Sequence, residues 1–202
     1  MFEGTHVERK GLEALAVTLY RVNRGRSPTA NFGRMPSGYR RSSGNNARLV
    51  ASGKRSRGGP DPQVIAAAET VPVHGALEGD ATSPDWMGWE WSSWVPDAQS
   101  SARQMGLYRL RPEGASSRLN YVGQGRIADR IRAHLATARS AAHPKARHFA
   151  QPLEASWVAF DGPRVHRLEH ENDLIASHVL TVGGPPAAQY LGDRNVEQQE
   201  QQ

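Results

Sequence analysis

The chain has 202 residues, a net charge of +5, and hydrophobic side chains at 38% of its positions. The absence of cysteine excludes disulfide bonds, thiolate catalysis and zinc held by cysteine, and no apolar run approaches the roughly 20 residues that cross a membrane. We expect a protein of the cytoplasm whose basic surface, with a pI near 10.0, either binds a polyanion such as nucleic acid or is basic but inert.

The first part of the chain is basic and poor in apolar residues. Residues 1–60 hold 12 Lys and Arg against three Asp and Glu. Within 34–63, glycine, serine, arginine and proline dominate, and too few apolar side chains remain to offset the entropy of an ordered chain. Residues 64–84 are acidic and rich in small side chains. We therefore expect a largely disordered N-terminal extension, with a flexible linker, first basic and then acidic, over 34–84.

Residues 85–104 contain four tryptophans at close spacing: Trp86, Trp89, Trp91 and Trp94. Such rings could stack on unpaired bases or bind a partner protein. Burial against the domain that follows is favoured, because each ring offers a large apolar area. We predict a tryptophan-rich lead-in that packs on a folded domain.

Regular periodicity begins at residue 105. Three stretches have the spacing or composition of strands, with a turn rich in glycine and serine between the first two, and two stretches have helical spacing. In the first helix an apolar side chain recurs every four residues, at Ile127, Ile131 and Leu135. The predicted order is strand, strand, helix, strand, helix, over 105–111, 119–123, 126–139, 155–160 and 165–182. A folded domain is expected over 105–192, followed by a polar tail over 193–202.

An internal repeat relates the two ends of the chain. The repeat lies within residues 12–33 and 170–192, and an alignment without a gap that places Glu13 on Glu171 also places Phe32 on Tyr190. The pattern indicates that residues 1–33 are a truncated copy of the tail of the second domain. Because the matching strands and first helix do not precede it, we expect no active site in this copy. A contribution to DNA binding or to dimerisation remains open.

Two tripeptides on the predicted hairpin, GLY at 106–108 and YVG at 121–123, are followed by Arg130 and His134 on a helix and by Glu171 on a later helix. This constellation resembles the GIY-YIG nuclease superfamily. The resemblance implies an α+β fold, with a small three-stranded antiparallel sheet flanked by helices, and cleavage of phosphodiester bonds in DNA with a divalent metal. It covers about 105–192, roughly half of the chain.

The resemblance also implies roles for these residues. Glu171 would hold Mg²⁺ or Mn²⁺, since an ion that retains several waters can use one carboxylate as its only protein ligand. Either Tyr108 or Tyr121 would hydrogen-bond or deprotonate the attacking water. Arg130 could lower the pKa of that tyrosine or bind a phosphate oxygen, and His134 could orient a tyrosine or contact phosphate.

Further residues are predicted to bind nucleic acid. Arg126, Arg130 and His134 recur every four residues and so share one helix face. The basic stretch that follows this helix could contact backbone phosphates, and a glutamine stands where the family often has an asparagine. The predicted contacts are Arg126, His143, Lys145, Arg147, His148 and Gln189.

Other functions stay open on the sequence alone. The same fold could be a catalytically inactive nucleic-acid-binding module, and each charged residue named above could be an ordinary solvated side chain. A domain this small would obtain specificity from its extensions, from a homodimer or from a partner protein.

Overall fold

The computed structural model describes residues 4–28, 31–33, 70–96, 102–115 and 117–192. The predicted linker from residue 34 to residue 69, which includes all of its basic part, and the tail over 193–202 lie outside these ranges. The fold is α+β, as predicted. Its elements are α1 (His6–Arg24), β1 (Val95–Pro96), β2 (Met105–Pro112), β3 (Tyr121–Arg126), α2 (Ile127–Ala138), α3 (Ala146–Phe149), β4 (Leu153–Ala159) and α4 (Arg164–Val182).

The sheet is antiparallel throughout and has the strand order β1-β4-β2-β3. It contains four strands, so the prediction of three strands was wrong. The additional strand, β1, pairs Val95 with Ala155 and Pro96 with Glu154. It is only two residues long and includes a proline, which an edge strand tolerates because it needs no ladder hydrogen bond from that residue. Such a strand has no periodicity from which it could be predicted.

The two faces of the sheet are covered by different parts of the chain. Tyr108 and Leu110 of β2 belong to a core shared with α2 and α3. Leu107 belongs to a second core, shared with α4, α1 and the segment that carries Trp86 and Trp91, here called the tryptophan segment. This division follows from the alternation of side chains along a strand. Strand β2 is therefore buried on both faces, and its tyrosine and leucine side chains are fixed by packing.

Helix α1 packs on α4, and the two segments of the repeat have the same local structure. At the offset that places Glu13 on Glu171, the two helices begin and end at matching positions. Both end at a glycine in the left-handed conformation, Gly25 with φ 64° and Gly183 with φ 83°. The aligned aromatic residues Phe32 and Tyr190 also share positive φ values, 59° and 62°. Glu13 itself is exposed and pairs with a lysine of its own helix.

The tryptophans pack as predicted. Trp86 and Trp91 are buried, and Trp86 Nε1 donates a hydrogen bond of 2.9 Å to Ser177 Oγ on α4. Residues 70–84, assigned to the linker from composition, also lie against this core, and Ala81 is buried within it. Short polar segments of this kind carry no periodic signal, although their few apolar side chains contribute to the core.

A buried arginine, Arg109, joins the tryptophan segment to the sheet. Its guanidinium lies 4.3 Å from the ring centroid of Trp91 and 4.6 Å from that of Trp94, and Nη1 donates to the Ala81 carbonyl at 2.6 Å. Burial lowers the pKa of Arg109 to about 9. Cation–π contacts of this geometry stabilise a desolvated guanidinium, so Arg109 accounts for the close packing of the segment.

Candidate active site

The site is built around the hydroxyl of Tyr108, which hydrogen-bonds His134 Nε2 at 2.8 Å. Two glycines make room for this arrangement. Gly123 is the cross-strand partner of Tyr108, and a Cβ there would lie 2.4 Å from the Tyr108 hydroxyl. A Cβ at Gly106 would lie 2.1 Å from the carbonyl oxygen of Val158 on β4. Real Cβ atoms do not approach so closely, so the glycines of both tripeptides are sterically required.

His134 is held between aromatic rings. Its ring centroid lies 4.5 Å from that of Tyr121 and 4.5 Å from that of Phe149, and the side chain is buried. Burial, with further contributions from Arg130 and Lys145, lowers the pKa of His134 to about 3. The imidazole is therefore neutral at physiological pH, and its bond to Tyr108 joins two uncharged groups. Of the roles predicted for His134, the contact with a tyrosine is the one that this geometry favours.

The ionisation of Tyr108 differs from the sequence-based expectation. Burial raises the pKa of Tyr108 well above its ordinary value, and the neighbouring Tyr121 raises it further. Arg130 does act to lower this pKa, as expected from its charge, but its effect is smaller than that of burial. Tyr108 is therefore a protonated phenol at neutral pH. Spacing along the sequence places Arg130 near the tyrosine but says nothing about the desolvation that outweighs it.

Arg130 lies at the exposed edge of the site. Its side chain is exposed, and its electrostatic interaction with the Tyr108 hydroxyl is the main cause that raises the pKa of Arg130. The other two residues of the predicted helix face, Arg126 and His134, have different surroundings from those of Arg130. Arg126 is exposed at the start of α2, where its Nε lies 3.6 Å from a carboxylate oxygen of Asp129, whereas His134 is buried. Arg130 thus connects the buried tyrosine with the surface.

Glu171 projects from α4 toward these groups. The side chain is partly exposed, yet its surroundings raise the carboxyl pKa to about 7. Burial is the main cause, and Arg130, Arg164 and Lys145 act in the opposite direction. The carboxyl is therefore near its midpoint of ionisation at neutral pH, which is a common property of functional carboxyl groups.

The donor set of this site fits one kind of metal ion. Within the described part of the chain, no group of three or more His, Asp or Glu residues could hold a metal. Glu171 offers one carboxylate, with hard oxygen donors, on a partly exposed side chain. Mg²⁺ and Mn²⁺ fit such a ligand, because Mg²⁺ retains several waters at protein sites and both ions prefer oxygen.

A pocket of about 200 Å³ opens beside Tyr121. It brings together several of the predicted side chains, and Lys145 Nζ lies 5.1 Å from the ring centroid of Tyr121. The residues lining it are Tyr121, Arg130, Ala133, His134, Thr137, His143, Lys145, Leu191 and Gly192. The cations in this lining give the pocket the charge expected for binding a phosphate.

Three other predicted contacts have different surroundings. Gln189 is buried, and its Oε1 accepts a hydrogen bond of 3.3 Å from the Val122 backbone N–H. This position favours a structural role over the predicted contact with nucleic acid. Arg147 Nε donates to His148 Nε2 at 3.0 Å, and neither side chain lines the pocket. His148 is partly buried, which lowers its pKa.

The sequence did not identify a buried ionic cluster behind the site. Arg21 of α1 pairs with Glu169 and Asp173 of α4, and all three side chains are buried. In the sequence alone, Glu169 and Asp173 resemble ordinary solvated charges. Their spacing of four residues places them on one helix face, which is the only sequence signal for a shared partner.

None of the helices within the described residues is long and apolar enough to span a membrane. Comparisons of the chain with family models, with curated proteins and with solved structures found no match.

Proposed function

We propose that this protein is a metal-dependent endonuclease that hydrolyses DNA phosphodiester bonds in the cytoplasm, with a GIY-YIG-like domain over about 105–192. One observation carries the proposal. The Tyr108 hydroxyl interacts with His134 and Arg130, and Glu171 lies within electrostatic range of both Tyr108 and Arg130. These are the residue types that the sequence resemblance assigns to the catalytic site, and two of them, Arg130 and His134, line a basic pocket.

Hydrolysis of a phosphodiester requires a positioned water, stabilisation of charge at the phosphoryl group and assistance to the leaving oxygen. A Mg²⁺ or Mn²⁺ ion held by Glu171 would supply the stabilisation of charge on the phosphate and the leaving oxygen. Glu171 must be ionised to hold it, and its pKa of about 7 means that this state is readily reached at physiological pH.

Arg130 is suited to bind the phosphate. Its exposed guanidinium can form two parallel hydrogen bonds with phosphate oxygens. In the structure the same guanidinium interacts with the Tyr108 hydroxyl. A phosphate that engages Arg130 would therefore replace this interaction and give water access to the hydroxyl.

Tyr108 is suited to orient the attacking water. Because it remains protonated at neutral pH, it can direct its own proton to His134 Nε2 and accept a hydrogen bond from water with its oxygen. Neutral His134 retains the lone pair that this arrangement needs. Tyr121 packs on His134 and lines the pocket, where it limits the space for the phosphate group.

Nicking of supercoiled plasmid, with and without Mg²⁺ or Mn²⁺, tests this proposal. The wild type is expected to nick only with metal, and Glu171→Ala is expected to lose activity while retaining DNA binding. Glu13→Ala is the matched control, because Glu13 occupies the equivalent repeat position but is exposed and pairs with Lys10 of its own helix. It should nick at the wild-type rate.

The basic pocket also supports a second candidate, a nucleic-acid-binding module without catalysis. Failure of the wild type to cut supercoiled, single-stranded and branched DNA, with salt-sensitive binding retained, would overturn the nuclease proposal in favour of this module. For both candidate functions, a homodimer or a partner protein would supply the target specificity.

A further inference from the structure

The interface between α1 and α4 is apolar at one end and ionic at the other. The helices run antiparallel, so Gly11 lies against Val179 and Pro185, where a Cβ on Gly11 would be 3.0 Å from Pro185 Cδ. At the opposite end, Arg21 Nε and Nη2 each donate to one carboxylate oxygen of Asp173 at 3.0 Å, and Nη1 donates to Glu169 at 2.7 Å. The polar contacts thus lie at the end of α4 that carries Glu171.

Further hydrogen bonds extend this ionic end. Asn172 Nδ2 donates to the Ala14 carbonyl at 3.1 Å and to Thr18 Oγ1 at 2.9 Å. Thr18 Oγ1 in turn donates to Asp173 Oδ1 at 2.9 Å. Helix α1 therefore binds α4 at positions 169, 172 and 173, on both sides of position 171 along the chain.

Helical geometry places Glu171 on the opposite side of α4 from this interface. Each residue advances by about 100° around a helix, so residues two positions apart are separated by about 200°. Glu169 and Asp173 face α1 together, and Glu171 faces away from α1 toward Arg130 and Lys145. A rotation of α4 about its axis would displace Glu171 from the site.

Ionic contacts are an unusual way to join two buried helix faces. Removing an arginine and two carboxylates from water is costly, and well-packed apolar side chains often give equal or greater stability. An ionic and hydrogen-bonded interface instead permits one relative arrangement of its elements, because any other leaves buried charges unpaired. The donors of the Arg21 guanidinium are occupied by these carboxylates, by the Ser27 hydroxyl and by the Val71 carbonyl.

We propose that Arg21 is a positioning residue, which fixes the rotation and register of α4 and thereby directs Glu171 toward Arg130 and Tyr108. The inference rests on the proposed function, in that Glu171 is taken to be the metal ligand. It assigns the N-terminal copy of the repeat a role in the site of the second copy. Mutation of residues that orient a metal ligand without touching the metal commonly lowers metal affinity by about 10–100-fold.

The matched variants are Arg21→Lys and Arg111→Lys. Both keep the positive charge and lose the planar fork, but Arg111 pairs with Glu154 on the sheet, at 2.8 Å and apart from the site. Binding of Mn²⁺ is measured by electron paramagnetic resonance, and nicking by initial rates. We expect Arg21→Lys to weaken Mn²⁺ binding about tenfold and to lower kcat about tenfold or more, with KM for DNA unchanged. Arg111→Lys should leave all three values unchanged.

Unchanged Mn²⁺ affinity and kcat in folded Arg21→Lys would overturn the inference. If Arg21→Lys does not fold, Thr18→Val provides the second test, because it keeps the shape of the side chain and removes the hydroxyl that bonds Asp173 and Asn172. We expect its Mn²⁺ affinity to fall about fivefold. A factor of this size corresponds to the net contribution of a typical hydrogen bond, here one that holds α4 in place. An affinity equal to that of the wild type would reject the positioning role.

Failure of the proposed function gives a separate result. If the wild type binds Mn²⁺ but does not cut DNA, the nuclease proposal fails, and the comparison of Mn²⁺ affinities still decides the role of Arg21. If Mn²⁺ does not bind, the carboxyl ¹³C chemical shift of Glu171 at pH 8 is compared among the same variants. A shift displaced by Arg21→Lys but not by Arg111→Lys is expected, and an undisplaced shift overturns the inference.

Discussion

Glu169 and Glu171 project from opposite sides of α4, Glu169 into a buried ion pair with Arg21 and Glu171 toward Arg130 and Lys145. Glu169 is buried and paired with Arg21 at 2.7 Å. Glu171 is partly exposed, and its pKa is raised to about 7 because burial outweighs the nearby positive charges. The Glu169 carboxylate contributes to the fold. The charged form of Glu171 is destabilised by burial, and a bound metal ion or another cation would stabilise that form.

Replacement of Glu171 should increase stability at alkaline pH. A carboxyl whose pKa is higher in the folded state binds its proton more tightly there, so stability falls as pH rises from about 4.5 through about 7. We expect Glu171→Gln, in metal-free buffer, to raise the free energy of unfolding at pH 8 by up to about 3 kcal/mol. The gain should vanish near pH 4.5. Urea denaturation at both pH values measures it.

Glu169→Gln is the control on the same helix, and its effect should have the opposite sign. Loss of one partner from a buried ion pair leaves the guanidinium of Arg21 incompletely paired, which should cost about 3 kcal/mol at pH 8. An increase in stability for Glu169→Gln, or a decrease for Glu171→Gln, would contradict this account of α4.

Protons and metal should compete for Glu171. At Mn²⁺ concentrations well below saturation, the nicking rate should rise about tenfold per pH unit below pH 7 and level off above it, because only the ionised carboxylate binds the ion. Raising the Mn²⁺ concentration should move the midpoint to lower pH. A midpoint that does not depend on Mn²⁺ concentration would assign the titration to another group.

Alanine at Gly123 should damage the site more than alanine at another glycine. A Cβ at this position would lie 2.4 Å from the hydroxyl of Tyr108, whose ring is completely buried and cannot turn aside. We expect Gly123→Ala to cost about 1–3 kcal/mol of stability and to abolish metal-dependent nicking. Gly184→Ala, where a Cβ meets no atom within 4 Å, should retain both. Equal effects for the two variants would refute the steric explanation.

Removal of the Tyr108 hydroxyl should lower the chemical rate. Tyr108→Phe keeps the ring but loses the bond to His134 Nε2 and the oxygen that would orient water. We expect kcat to fall about a hundredfold or more, with KM for DNA within about twofold, since the phosphate contacts stay intact. Tyr20→Phe, on the exposed surface of α1, is the control. A wild-type kcat for Tyr108→Phe would exclude Tyr108 from catalysis.

Much of the second domain was predictable because its signals are local. The strand predicted over 105–111 is β2 with one more residue, and the helix predicted over 165–182 is α4 with one more residue. Strand β3 begins two residues later and ends three residues later than the predicted 119–123. The glycines and the glutamine of β3 are residue types typical of loops, but their pairing with β2 keeps this part of the backbone extended.

The long-range features could not be predicted in this way. The packing of α1 on α4 and the burial of Arg109 among tryptophans join segments that are far apart in sequence. The predicted catalytic side chains do lie together, but their charge states depend on burial. Burial also distinguishes His134 from Arg126, because His134 is turned into the core and Arg126 into solvent.

The ion pairs of Arg21 connect residues separated by 148 and 152 positions. During translation, α1 leaves the ribosome before its partners on α4 have been made, and the face of α1 that packs on α4 stays uncovered for that time. At elongation rates of about 5–20 residues per second, this interval lasts about 7 to 30 seconds. The order of synthesis thus makes α1 emerge well before it can form its final contacts with α4.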